Sequence, residues 1–338
     1  MISRRTVPQA HPELLHYTSV AGLLGILDSQ SLRATNASFL NDSMEIELFF
    51  ERRLAKLLES GVRAELAADP ELCVLPQFAH TPDEADATIV RYANDMTEAI
   101  RATTRRFNHP YFVSFSAPTN PRDRQDGLLS QWRGYGKDGG YALVFDAGHL
   151  EERLMIEARD YWFQHAHWGD VHYHQDDDDL VSAEPEITEA EEALRQAIRA
   201  YIRNPVAHEL ESTFEPVATL SCLYKHWGFH EEREVRIVAI PPNADLIREG
   251  RAAGEERPVR KIQTFTRGGT PIPYLDLFAH GQVEAPHEKP LLPITEVIVG
   301  PHPQSQLRRK AVEGILQAKG MAATVVISQI PVLAASSW

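Results

Sequence analysis

A chain of 338 residues with 43% hydrophobic and 24% charged residues has the material for a substantial core, in one large domain or two medium ones. Its 34 Lys and Arg against 48 Asp and Glu give a formal net charge of −14, which disfavours nonspecific binding to phosphate backbones but decides nothing about any single cleft. Cys73 and Cys222 stand far apart with no CxxC spacing, so neither a zinc site nor a disulfide framework is expected, and two free thiols fit a reducing cytosol. No apolar stretch follows the early arginines and none approaches ~18 residues, so a cytoplasmic protein with neither secretory signal nor membrane span is expected.

In chain order, residues 1–12 read as a loose arm and 14–18 as a short strand. Ser19 caps a helix whose Val20, Leu23, Leu24 and Leu27 share one face. A second extended piece follows at 32–35. Asp42 with Glu45 makes a capping box for a helix that Gly61 should end. Residues 62–86 look mixed, and helical spacing returns at about 84–106 until Asn108-His109-Pro110 breaks it. A strand at 111–116, a short helix over Leu128 to Gly136 and a strand from Tyr141 to Asp146 come next.

Further on, 153–174 could hold two strands, and Thr188 with Glu191 forms a second capping box. Residues 206–226 read as helical with an interruption at Pro216, and 232–240 as a strong strand. Residues 242–290 are rich in Pro, Gly and charge and look loop-rich. A strand at 294–300, a helix beginning near Gln304 and a strand at 323–328 close the chain. Strands that come irregularly, without a sustained βαβ rhythm, indicate an α+β fold. Neither a G-x-G-x-x-G after a strand nor a G-x-x-x-x-G-K-[ST] is present, so any nucleotide is held in another way.

Several signatures occur together: His16-Tyr17-Thr18 followed by LLGILDSQSLRATN, the run from Leu40 to Glu45, Val113 to Ser116, Ser130 to Gly136, Tyr141 to Asp146, Lys225 through Phe229 to Arg236, and Glu296 to Pro301. In this order they resemble the bacterial domain-of-unknown-function family 2971, from about residue 14 to about 333. The front end is also similar to ADP-ribosyltransferases, whose His-x-Thr/Ser triplet and following helix recur in poly-ADP-ribose polymerases, RNA 2′-phosphotransferases and DarT toxins. That resemblance implies a single domain over 1–338 with a split mixed or antiparallel β core, flanking helices and a helical insertion at about 147–220. It implies NAD as substrate and transfer of ADP-ribose to a macromolecular acceptor (protein, RNA or DNA). The setting it suggests is a phage-defence or toxin–antitoxin effector with an antitoxin or regulatory partner and no membrane.

Carried over residue by residue, the resemblance places His16 on the adenosine-side ribose. The Tyr17 backbone clamps the nicotinamide amide, Thr18 assists at that edge, Ser114 and Ser116 match a Ser-x-Ser strand motif, and Glu234 stands where the catalytic glutamate would. The chemistry suits such groups, because cleaving the nicotinamide–ribose bond develops positive charge on the ribose that a fixed carboxylate stabilises. Trp132 and Tyr135, at i and i+3, could stack on nicotinamide or simply pack in the core. On an extended backbone Glu232, Glu234 and Arg236 share one face, opposite Val235, Ile237 and Ala239, so Glu234 is the first candidate for catalysis and Glu232 the second.

Each residue also has a plainer role: a surface or core histidine, a solvated strand face for the serines, a helix cap for Asn41-Asp42, and a surface ion pair for Glu234 and Arg236. Two other functions remain open. One is a binding or sensor domain without turnover. The other is a metal-dependent nuclease, because His165, His167, His172 and His174 precede the acidic run Asp176 to Asp179.

Overall fold

The computed structural model describes residues 6–40, 45–78, 84–104, 108–135, 139–174, 185–279 and 291–331. The strands are β1 (Glu13–Thr18), β2 (Leu32–Asn36), β3 (Tyr111–Ser116), β4 (Tyr141–Asp146), β5 (His165–Asp170), β6 (His172–His174), β7 (Tyr224–His226), β8 (Glu234–Ile240), β9 (Ile262–Arg267), β10 (Thr270–Leu277), β11 (Ile294–Val299) and β12 (Thr324–Ile327). Ten of them form one sheet in the order β12-β11-β4-β1-β3-β2-β10-β9, with β8 on β3 and β5 on β8, while β6 and β7 make a separate parallel pair. Every pairing in the large sheet is antiparallel except β11 with β12.

The sheet divides at β3. Along one edge β3 pairs with β8 over its whole length, from Tyr111↔Ala239 to Ser116↔Glu234. Its other edge therefore serves two strands: β1 only at Leu15↔Ser116 and β2 only at Phe112 and Tyr111. Between them the edge of β3 around Ser114 has no strand partner, and β1 and β2 diverge there.

Side-chain alternation sorts the two faces. One face carries a continuous core of Leu14, Val113, Phe115, Leu143, Phe145, Val235 and Ile237, covered by the helices Val20–Ser29, Ala147–Asp160 and Ser305–Ala318. The opposite face holds two separate apolar clusters. Phe112, Val238 and Ile240 pack under the helices Ala55–Ala68, Ala85–Thr104, Pro185–Arg203 and Phe214–Leu223. Leu15, Tyr17, Ala142, Val144 and Ile298 pack around Trp132 of the helix Leu129–Tyr135. The polar residues of β3 and β8 lie between the two clusters.

The fold is thus mixed α+β with a mostly antiparallel sheet, and several local expectations change. Val7–Ala10 is helical rather than a loose arm. The helix Ala55–Ala68 runs through Gly61, because Val62 and Leu66 continue its buried stripe. Asn41, Asp42 and the acidic run Asp176 to Asp179 lie outside the described residues. The Thr188–Glu191 box does not start a helix: the helix begins at Pro185, and Glu191 is buried against Arg53 at 3.1 Å. Pro216 interrupts nothing, since it sits in the first turn of Phe214–Leu223, where its missing N–H costs no intrahelical bond. The region 153–174 starts with the end of a helix capped by Asp146, and only then forms two strands.

The described part of 242–290, residues 242–279, is not mainly loop: it contains the helix Ala244–Ala252 and the β9–β10 hairpin. Its turn is Gly268-Gly269, both at positive φ. Pro271 and Pro273 fit β10 because only β9 pairs with that end, β2 joining from Tyr274 onward. The expected insertion at 147–220 is tied into the main sheet through β5.

Cys73 is exposed and Cys222 is buried, and neither is in a disulfide. Cys73→Ser is expected to leave the melting temperature unchanged. Cys222→Ser buries a hydroxyl in an apolar cluster and should cost about 1–3 kcal/mol, with activity per folded molecule retained. Thermal unfolding followed by an assay on the folded fraction checks both, and lost activity in folded protein would reveal a thiol role.

Candidate functional site

A cavity opens where β1 and β2 diverge. Its walls include His16 and Tyr17 of β1, Arg33 and Thr35 of β2, Ser114 and Ser116 of β3, Gln131 and Tyr135 of the helix Leu129–Tyr135, and Lys225, Glu232, Glu234, Arg236 and Arg267. Eight of the ten residues singled out in the sequence therefore meet at one place, from segments more than 200 residues apart. Thr18 and Trp132 are not among its walls.

The divergence of the strands explains His16. The Ser114 carbonyl, left without a strand partner, accepts from His16 Nδ1 at 2.9 Å. A carbonyl only accepts, so Nδ1 carries the proton and Nε2 is left as an acceptor. Burial pushes the His16 pKa below its ordinary value against the smaller opposing effect of that carbonyl, so the ring is neutral at pH 7.

On the adjoining strands the antiparallel register sets Ser116 opposite Glu234 and Ser114 opposite Arg236. The Arg236 guanidinium grips the Glu234 carboxylate with two bonds, Nε to Oε1 at 2.7 Å and Nη2 to Oε2 at 2.9 Å. It also donates to the Cys222 carbonyl at 2.8 Å and lies over the Phe112 ring. Lys225, from β7, reaches Glu234 Oε2 at 3.0 Å and Glu232 Oε2 at 2.7 Å. Burial alone would raise the Glu234 carboxyl, but Arg236 and Lys225, with a hydrogen bond from Ser114, hold it at about 2. Glu234 is accordingly an anion at neutral pH, buried and rigidly oriented.

The two glutamates do not share a strand face as the sequence spacing implied. Glu232 ends a 3-10 turn, Arg233 adopts a left-handed conformation, and β8 begins at Glu234. Ser116 donates to the Glu232 carbonyl at 2.8 Å and fastens that turn. The carboxylates still converge, because Lys225 bridges them. Glu234 is the first residue of its strand rather than an interior one, and its rigidity comes from the cations.

Trp132 and Tyr135 also separate. Trp132 is 5% exposed, meets Tyr17 edge-on with centroids 4.9 Å apart and donates to the Asp126 carbonyl, so it is a core residue. Tyr135 is 47% exposed and borders the cavity. The Tyr17 side chain belongs to the same apolar cluster as Trp132, its hydroxyl accepting from the Leu128 amide.

Lys225, Arg33 and Arg267 were not among the sequence candidates. Lys225 had a legible signal: it follows eight uncharged residues, Val217 to Tyr224, and a cation there needs a buried partner. Arg33 and Arg267 had none, since their meeting depends on strand pairing.

The four histidines do not converge. His165 and His167 are stacked, with a His165–Thr219 bond of 3.3 Å, whereas His172 and His174 flank the Tyr224 ring. Among the described residues no three His, Cys, Asp or Glu side chains form a metal-binding group. No described helix is long and apolar enough to cross a membrane.

Fold and site together define an α+β protein with a mostly antiparallel sheet whose divided strands enclose a charged cleft. Over residues 131–237 the chain matches the family described as Protein of unknown function (DUF2971), and the matched segment holds Tyr135, Lys225, Glu232, Glu234 and Arg236. No curated protein and no solved structure matches the chain.

Proposed function

We propose that the cleft binds NAD and that the protein transfers ADP-ribose from it to a macromolecular acceptor, on an ADP-ribosyltransferase-like split sheet. The observation that carries this reading is the convergence of His16, Ser114, Tyr135 and Glu234 on one cavity. Local charge agrees with it. The walls carry four cations (Arg33, Lys225, Arg236 and Arg267) against two carboxylates, in a chain of net charge −14. An anionic dinucleotide would find a favourable field there.

In this reading the neutral His16 offers Nε2 to a ribose hydroxyl, and exposed Tyr135 offers a ring face to a planar base. The pyridinium of NAD is already charged and leaves as neutral nicotinamide, so no acid is needed. The positive charge passes to the ribose, where the fixed Glu234 anion stabilises it. The acceptor is a protein or nucleic acid, and the setting is a toxin–antitoxin or phage-defence effector held by an antitoxin.

One feature favours a second reading, a nucleotide sensor without turnover: both Glu234 oxygens are already engaged by Arg236 and Lys225. Incubation with labelled NAD separates the two. Label on a macromolecule or released nicotinamide supports transfer, and saturable binding with neither product supports the sensor. In both cases titration calorimetry with no added metal should show NAD binding, and folded protein that gives no heat at millimolar NAD would reject both.

A further inference from the structure

Two cations of the cleft stand outside the network around Glu234. Arg33 lies on β2 and Arg267 ends β9, and among the described residues neither pairs with a carboxylate. The carboxylate opposite Arg33 in the ladder, Asp276, accepts from the Ser31 hydroxyl at 2.6 Å. In a chain with 48 acidic against 34 basic side chains, two arginines at one cavity with no carboxylate partner among the described residues call for another anion.

The geometry prepares them for one. The Arg33 guanidinium lies 5.0 Å from the Tyr274 ring centroid and 5.5 Å from that of Phe265. These two cation–π contacts hold the guanidinium at the cavity, and through its N–H fork Arg binds phosphate bidentately. Arg267, two residues beyond Phe265 and so on the same face, donates to the Phe39 carbonyl, which ties the hairpin end to the turn after β2. Thr35, two residues beyond Arg33, also faces the cavity and brings a hydroxyl.

We propose that Arg33, Thr35 and Arg267 form an oxyanion subsite that takes the diphosphate of a nucleoside-diphosphate ligand. The proposal deepens the NAD reading and rests on it for the identity of the ligand. The β9–β10 hairpin then has a binding role: it carries the two rings that contact Arg33 and supplies Arg267 itself.

Calorimetric titration with inorganic pyrophosphate, ADP and NAD tests it, on the full chain and on Arg33→Met, Arg33→Lys and Arg267→Met, with melting curves for each. All these positions are exposed, so the variants should melt as the parent does. Arg33→Met should weaken pyrophosphate and ADP by about 10- to 100-fold. Arg33→Lys should recover only part of the loss, because a lysine keeps the charge but lacks the bidentate N–H fork. Equal ADP and pyrophosphate affinity in Arg33→Met, or no binding of either to the parent protein, overturns the subsite. Arg33-dependent ADP binding without NAD cleavage keeps the subsite and rejects transfer. NAD cleavage with an unchanged KM in Arg33→Met keeps transfer and rejects the subsite.

Discussion

Glu234→Gln is expected to lower ADP-ribose transfer by about two to three orders of magnitude while NAD still binds, because the carboxylate acts mainly on charge that develops in the transition state. The structure adds a second effect. Glu234 neutralises two cations at a buried position, so its loss deprives Arg236 and Lys225 of their shared anion, with Glu232 still paired to Lys225. Breaking a buried ion pair from one side costs about 3–5 kcal/mol. The activity measurement therefore belongs on protein whose folding has been checked by circular dichroism. The double variant Glu234→Gln/Arg236→Met should regain much of the stability, leaving Lys225 with Glu232, and none of the turnover. Near-normal turnover in folded Glu234→Gln would remove it from the chemistry, and an unchanged melting temperature would show that the network contributes nothing. Glu232→Gln should do less, because that carboxylate is more exposed than Glu234 and lies in the turn before β8.

The same network sets an acid limit. The Glu234 carboxyl is held at about 2 in the folded protein, below its ordinary 4.5. A depressed carboxyl contributes stability that is fully present above the unfolded value and is lost as pH falls through the folded one. The contribution is about 3 kcal/mol, present above about pH 4.5 and lost towards pH 2. Urea unfolding at a series of pH values should show this decline, and Glu234→Gln should flatten it.

Trp132→Ala and Tyr135→Ala should behave in opposite ways. Trp132 fills space between Tyr17 and two glycines: a Cβ on Gly127 would fall 2.8 Å from its Nε1 and one on Gly300 2.9 Å from its Cε3. Emptying that volume should cost about 3–5 kcal/mol. Tyr135→Ala removes an exposed ring at the cavity and should leave the melting temperature nearly unchanged while weakening NAD by about 10-fold. Urea unfolding and calorimetry measure the two quantities separately. A stable Trp132→Ala that loses NAD would mean the indole, not the phenol, meets the ligand.

Sequence by itself determined where most strands and helices lie. Alternation marked β3, a short apolar run marked β1, and helical spacing marked the helices Val20–Ser29 and Ala85–Thr104, because these patterns are local records of which side is buried. It also pointed to His16, Ser114, Ser116, Tyr135, Glu232, Glu234 and Arg236, which the chain does bring together. Local signals failed where a distant partner outweighed them: Gly61 did not stop a helix whose buried stripe continued, and the Pro- and Gly-rich region 242–290 formed a hairpin once β2 supplied a neighbour for β10.

Only the tertiary structure decided which polar groups face one another. That β1 and β2 share one edge of β3, that a bridging lysine from β7 gathers Glu232 and Glu234, that Trp132 turns into the core while Tyr135 turns out, and that Arg33 meets two rings of a hairpin more than 200 residues away are all consequences of strand pairing. The spacing of residues along a chain specifies the face on which each side chain stands. It does not specify which other face comes to lie against it, and in a buried site the charge, tautomer and rigidity of every group depend on that neighbour.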